Sequence, residues 1–174
     1  MWYDKYVEIT TDQKYKNLLR ESYIYASEKS NDISTHTAAI LIDSKKKKLA
    51  IASNGFPSHH TQIDGWDQKP LKDAISNHAE RAVVFKAAKE GIKTSGSEMI
   101  MPWIPCFPCA NAIIYSGVKT LISHKQMTDK TPQDWIPELE KAIKLLNLNG
   151  IKILMYDGKI GNCKGFMRKE HWEP

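Results

Sequence analysis

Apolar residues recur along the chain with two different periods. Leu18, Leu19, Tyr23 and Ala26 stand three and four residues apart and predict a helix from about Thr11 or Asp12 to Ser27. His36 to Ile42 is apolar and partly β-branched and reads as a strand. Asp43 to Lys48 is polar enough for a turn, and Leu49 to Ala52 completes a hairpin. Ser53-Asn54-Gly55-Phe56-Pro57 interrupts the strand pattern, and a long loop follows through His59, His60, Asp64-Gly65 and Lys69-Pro70. Ordered loops of that length often carry function. A helix is expected from about Ser76, capped by Ser76 or Asn77, as far as Gly91. Glu98 to Met101 reads as a short strand ended by Pro102. Cys106 to Ser116 reads as a helix closed by Gly117, and Val118 to Ser123 as a strand. Ile136, Leu139, Ile143 and Leu146 give the apolar face of a helix from about Asp134 to Leu148. Ile151 to Met155 is the last strand. Beyond Gly158 the tail is basic and glycine-rich, with no pattern that places it.

Helices between the later strands require crossover connections, so those strands should run parallel, whereas the opening hairpin is antiparallel. The expected fold is α/β: a three-layer α/β/α sandwich around a mixed five-stranded sheet. A single domain should occupy residues 1–174, with a core from about 11 to 156 and a basic tail over 157–174.

Composition adds boundaries rather than identity. Hydrophobic residues make up 41% and charged residues 26%, which are globular values. No apolar run approaches the roughly 20 residues that span a bilayer, so no membrane partner is expected. The start, Met1-Trp2-Tyr3-Asp4-Lys5, shows no apolar stretch behind a basic segment. The 3 cysteines are too few for a disulfide framework, and a cytoplasmic location is expected. The net charge of +5 suits an anionic partner, either a nucleotide phosphate or a nucleic acid strand. Much of that excess is Lys45-Lys46-Lys47-Lys48, which a solvated hairpin turn explains.

Two short pieces carry chemistry: His78-Ala79-Glu80 and Pro105-Cys106-Phe107-Pro108-Cys109. Each lies where a helix is expected to begin. Two facing helix N-termini would gather one imidazole and two thiols, giving three zinc ligands and leaving the fourth position for water, as a catalytic site requires. Helix N-termini favour thiolate over thiol. Zinc lowers the pKa of a bound water to near neutral, which makes hydroxide available. Glu80, in the first turn, is placed to take a proton from that water and pass it on. A redox pair is the rival reading of Cys106 and Cys109, but a thioredoxin-like site has no use for the upstream H-x-E. His59 and His60 are read as exposed loop histidines, His36 and His124 as structural, and Cys163 as a spare thiol.

H-x-E followed by P-C-x-x-C is the pattern of zinc-dependent nucleobase deaminases. From about Ala26 to Met155 the sequence resembles the cytidine deaminase superfamily, and within it deoxycytidylate (dCMP) deaminases. Ser53-Asn54-Gly55-Phe56-Pro57 stands where that family has its G-Y-N-G-x-P loop. Ser116-Gly117-Val118-Lys119 and Gly150-Ile151-Lys152-Ile153 match its S-G-[IV]-K and G-I-x-[IV] stretches. The resemblance implies zinc on His78, Cys106 and Cys109 and a proton-shuttling Glu80. It implies hydrolytic deamination of a nucleotide base, dCMP to dUMP or a close pyrimidine nucleotide. Asn54 should contact the sugar or base, and Ala79, Trp103, Ile104 and Pro105 should lie along the pocket. Trp103 is read either as a stacking partner for the base or as a packed core tryptophan. The family pattern H-A-E-x-N-A here becomes His78-Ala79-Glu80-Arg81-Ala82-Val83, and no basic residue follows the loop, where Ser58-His59-His60 stand. Sugar and phosphate recognition are therefore expected to differ, with Arg81 either a phosphate ligand or an exposed helix arginine. Family members form dimers, tetramers or hexamers, so a homo-oligomer is expected. Two other readings stand beside this one: a deaminase of tRNA adenosine or another purine on the same fold, and a zinc-stabilised binding module without turnover.

Overall fold

The computed structural model describes residues 1–174. A short turn of 3-10 helix at Asp4–Tyr6 leads into β1 (Glu8–Thr10) and α1 (Gln13–Lys29), whose N-cap Asp12 accepts a hydrogen bond from the Lys14 amide at 2.8 Å. The hairpin β2 (Ala38–Ile42) and β3 (Lys48–Ser53) follows, then a segment containing α2 (Leu71–Ile75). After it come α3 (Ala79–Lys89), β4 (Glu98–Ile100), α4 (Phe107–Ser116), β5 (Thr120–His124), α5 (Lys125–Asp129), α6 (Ile136–Leu148) and β6 (Lys152–Tyr156). A separate hairpin, β7 (Gly165–Met167) and β8 (Glu170–Trp172), ends the chain.

The main sheet has the order β1-β6-β5-β4-β2-β3. β4, β5 and β6 are parallel, and β2 is antiparallel to both β3 and β4. The expected mixed sheet is present, with six strands instead of five because β1 pairs in parallel with the edge of β6. β1 is only three residues long and mostly exposed, so it carries no alternation for a sequence reading to find. The tail is likewise not a loose appendage: it folds into β7 and β8.

Side chains alternate across the sheet and feed two cores. Ala39, Leu41, Met99, Leu121, Ile153 and Met155 face the layer containing α3, α4 and α6, whose Val83, Ile113, Ala142 and Ile143 complete that cluster. Ile40, Ile42, Ile100, Ile122 and Tyr156 face the other way, onto Leu19 and Tyr23 of α1. Three layers result, as the helical and strand periodicities predict. The lysine-rich turn between β2 and β3 is tied back onto the fold. Lys46 donates to the Tyr15 hydroxyl at 3.1 Å and pairs with Glu98, and Lys48 pairs with Glu21.

Candidate active site

The segment entering α3 is fixed by a two-bond bridge between Gly55 and Asn77, at 3.0 and 2.8 Å. Asn31 holds the same loop, its side-chain oxygen accepting from the Phe56 amide at 2.8 Å. His78 therefore leaves a pinned backbone and sits at the N-cap of α3 in extended conformation. Met101 continues from β4, and a mostly buried stretch up to Pro105 delivers Cys106 to the N-cap of α4. Cys109 lies one turn further on. Phe107 and Pro108 open the helix, where a missing proline N–H costs nothing. Because α3 and α4 pack side by side, their N-termini meet.

His78 Nδ1 lies 3.4 Å from Cys106 Sγ and 3.5 Å from Cys109 Sγ. All three ligand atoms fall within 4.8 Å of one another. A tetrahedral zinc ion with ordinary Zn–N and Zn–S bonds separates such nitrogen and sulfur atoms by about 3.6 Å. The donor set, one imidazole and two thiols, is soft enough for that ion, so both spacing and chemistry fit. The Cys109 thiol and the neighbouring imidazole hold Cys106 below the ordinary thiol range, and the same hydrogen bond pushes Cys109 up. One thiolate is thus already favoured. The Cys106 hydrogen bond raises His78.

Glu80 is 5% exposed and lines the same cavity as His78 and Cys106. Burial pushes its carboxyl above the ordinary carboxylate range, against the pull of His78. The cavity has a volume of about 710 Å³. That is within the usual range of small-molecule sites.

The sequence matches the family model described as the cytidine and deoxycytidylate deaminase zinc-binding region over residues 12–125. The chain belongs to that family. Among curated relatives of this deaminase family, a probable deoxycytidylate deaminase of Drosophila melanogaster is 26% identical over 110 residues, 57% of this chain and 53% of the relative. The deoxycytidylate deaminase of Pongo abelii is 27% identical over 115 residues, 60% of each chain. The chain thus spans about half to three fifths of these relatives. A solved dCMP deaminase from cyanophage S-TIM5, in complex with dCMP and dUMP, superimposes with a TM-score of 0.62 at 23% identity, covering 84% of this chain and 99% of that one. Its fold is the one described above.

The other residues expected at a deaminase pocket divide. Asn54, Arg81, Trp103 and Ile104 line the cavity. Ala79 and Pro105 do not: Ala79 packs into the core and Pro105 is buried. Asn54 also has structural work. Its oxygen accepts from Ser30 Oγ at 2.8 Å and the Thr37 amide at 2.9 Å, while its amide donates to the Thr35 carbonyl at 2.7 Å. Trp103 is half-buried: it donates to Thr131 Oγ1 at 2.9 Å, stacks on Trp135 at 5.6 Å, and lines the cavity. Arg81 is half-buried rather than an exposed helix residue, and donates to the Ser76 carbonyl at 2.9 Å. His60 stacks on Phe56 and meets the edge of Trp66, so it packs the loop together. Neither it nor His59 lines the cavity. Several lining residues had no motif to announce them, among them Asp32, Lys72, Trp135 and Arg168. Trp135, an aromatic next to a proline-containing loop, offered a weak signal, and Arg168 none.

Proposed function

We propose that the protein hydrolytically removes the exocyclic amine of a cytosine nucleotide, with dCMP the leading substrate: dCMP and water give dUMP and ammonia. The observation that carries this reading is the meeting of His78, Cys106 and Cys109 beside the buried carboxyl of Glu80, at a cavity lined by His78, Glu80 and Cys106. Family membership and the names of the curated relatives support it. His78, Cys106 and Cys109 are the residues that would hold zinc, which when bound supplies Lewis-acid activation of a water molecule at neutral pH. Glu80 takes one proton from the attacking water and delivers it to the ring nitrogen beside the reacting carbon. It then takes the second water proton from the hydroxyl of the tetrahedral adduct and gives it to the departing amine, which leaves as ammonia. Ile104 and Trp103 offer an apolar and aromatic wall for a flat ring. The buried position of Glu80 keeps bulk water from levelling its proton affinity.

The test is ammonia release from dCMP by zinc-loaded protein, beside CMP, deoxycytidine, adenosine and guanine. Glu80→Gln should cut kcat by at least about 100-fold while leaving zinc content and the unfolding curve unchanged. Undiminished turnover in that variant, or no turnover of any cytosine nucleotide by the parent protein, would overturn the reading.

A further inference from the structure

The hairpin β7–β8 lies outside the stretch matched by the family model, yet it reaches the cavity. It docks on the 34–36 segment through three bonds from or to the backbone. The His36 amide donates to the Phe166 carbonyl at 2.9 Å, the Lys169 amide to the Ser34 carbonyl at 2.8 Å, and the Arg168 amide to Thr35 Oγ1 at 3.1 Å. Met167 pairs with Glu170, so the turn has two residues, Arg168 and Lys169. Both have positive φ, 54° and 68°. Such a turn favours Asn-Gly, and two long cationic side chains there cost backbone energy that their position must offset.

Arg168 lines the cavity and Lys169 does not. The Arg168 side chain is exposed at the mouth and makes no hydrogen bond or ion pair within the chain. The other cations of the lining differ in this respect. Lys69 is 3.3 Å from Asp73, and Lys72 is 3.8 Å from Asp32. Asp32 is itself occupied by the Ser34 and Thr35 amides at 2.7 and 3.1 Å. Arg81 is oriented by its bond to the Ser76 carbonyl and has no acidic partner. The lining acids Asp134 and Glu138 belong to the segment around Trp135, and Glu138 accepts from the Phe107 amide at 3.4 Å. The wall built from 32–35, 69–81 and the hairpin turn therefore carries two guanidiniums without a counter-charge.

Resting on the deaminase reading above, we propose that the Arg168 turn, with Arg81, is an anion subsite that selects a phosphorylated nucleotide over the bare nucleoside. A guanidinium offers paired donors that match phosphate oxygens, and a rigid two-residue turn holds one of them at the cavity mouth. The hairpin is then a specificity element attached to the deaminase core. Arg168 is a binding residue in this proposal and takes no part in the chemical step.

The test uses the zinc-loaded 174-residue chain and calorimetric binding of dUMP and deoxyuridine, with dCMP turnover run in parallel. Arg168→Asn keeps a residue that tolerates positive φ, so the turn survives. It should weaken dUMP binding on the order of tenfold to a hundredfold. Deoxyuridine binding should stay within about twofold, because the lost donors face only the phosphate. Arg168→Lys should recover part of the loss, and Lys169→Ala should change neither ligand. Equal dUMP binding by Arg168→Asn and the parent, equal weakening of both ligands, or no dUMP binding by the parent overturns the subsite. Ammonia release from deoxycytidine without dUMP binding overturns the subsite and spares the deaminase reading. Arg168-dependent dUMP binding without ammonia release from dCMP does the reverse.

Discussion

At Gly55 the backbone runs at φ 155°, and a Cβ built there would collide with the Asn31 carboxamide. That carboxamide is not expendable, since it holds the Phe56 amide and so the loop facing the bridge to Asn77. Asn77 is the residue before His78, which makes Gly55 part of what aims that imidazole. Gly55→Ala should therefore destabilise the fold by about 2–3 kcal/mol, through strained φ and overpacking together. It should also weaken zinc binding. Urea unfolding followed by tryptophan fluorescence, with competitive zinc titration, measures both. A change within about 0.5 kcal/mol, the ordinary range of surface substitutions, would show that the loop shifts freely. Glu80 is the contrasting case: its place beside His78 in the cavity was legible from H-x-E, because a carboxylate two residues after the imidazole falls in the same first helical turn. Spacing did not show which neighbours of the motif face the cavity, so Asn54 and Trp103 do and Ala79 and Pro105 do not.

The elements that build the site were the ones best written into the sequence. α3 and α4 each begin at a proposed zinc ligand, and α6 shows an unbroken apolar stripe. α3 nevertheless starts at Ala79 with His78 as its N-cap, rather than near Ser76 with Ser76 or Asn77 capping it, because the residues before His78 are held in the bridge to Gly55. α2 and α5 have 5 residues each, too few to display a helical period. The closing hairpin hid behind Arg168-Lys169, a dipeptide that no turn rule flags. In the proposed zinc site, His78, Cys106 and Cys109 stand at two helix N-termini. Zinc held there would join α3 to α4 at the ends where neither helix has a side-chain cap. Removing zinc with a chelator should thus lower the unfolding midpoint. A metal held at a thousand times its dissociation constant contributes about 4 kcal/mol. Amides in the first turns of α3 and α4 should lose hydrogen-exchange protection before those of the sheet. Uniform loss of protection across β2, β4 and β5 would instead mean that zinc supports the whole core.

At the scale of the molecule, His124 ties together parts that the proposed zinc site does not touch. It is fully buried at the end of β5. Nε2 lies 3.1 Å from the Gly158 carbonyl, which can only accept, so that nitrogen carries the proton. Nδ1 is then the acceptor for the Tyr23 hydroxyl of α1 at 2.8 Å. Trp172 of β8 stacks on the ring at 6.1 Å. One neutral imidazole thus connects α1, the sheet, the segment after β6 and the closing hairpin. Burial lowers its pKa, outweighing the Gly158 carbonyl and the nearby Asp157 and Asp129, which favour the cation. The unfolded chain therefore binds this proton more readily than the native one, and stability rises with pH. The contribution is complete above the unfolded value of about 6.5. It is lost as pH falls below that value, and continues to fall until the lowered native pKa is reached. A second proton on Nδ1 would face the Tyr23 O–H. To relieve this, the hydroxyl must turn its proton towards Met127 Sδ, 3.6 Å away. Below pH 6.5 the urea-unfolding free energy should fall by up to about 1.4 kcal/mol per pH unit more in the parent protein than in His124→Gln, both zinc-loaded. Comparing the two proteins removes the acid sensitivity of the metal ligands, which they share. Parallel pH profiles would mean that the imidazole titrates alike in both states, and that the hairpin is held by the Trp172 packing and its bonds to the 34–36 segment alone.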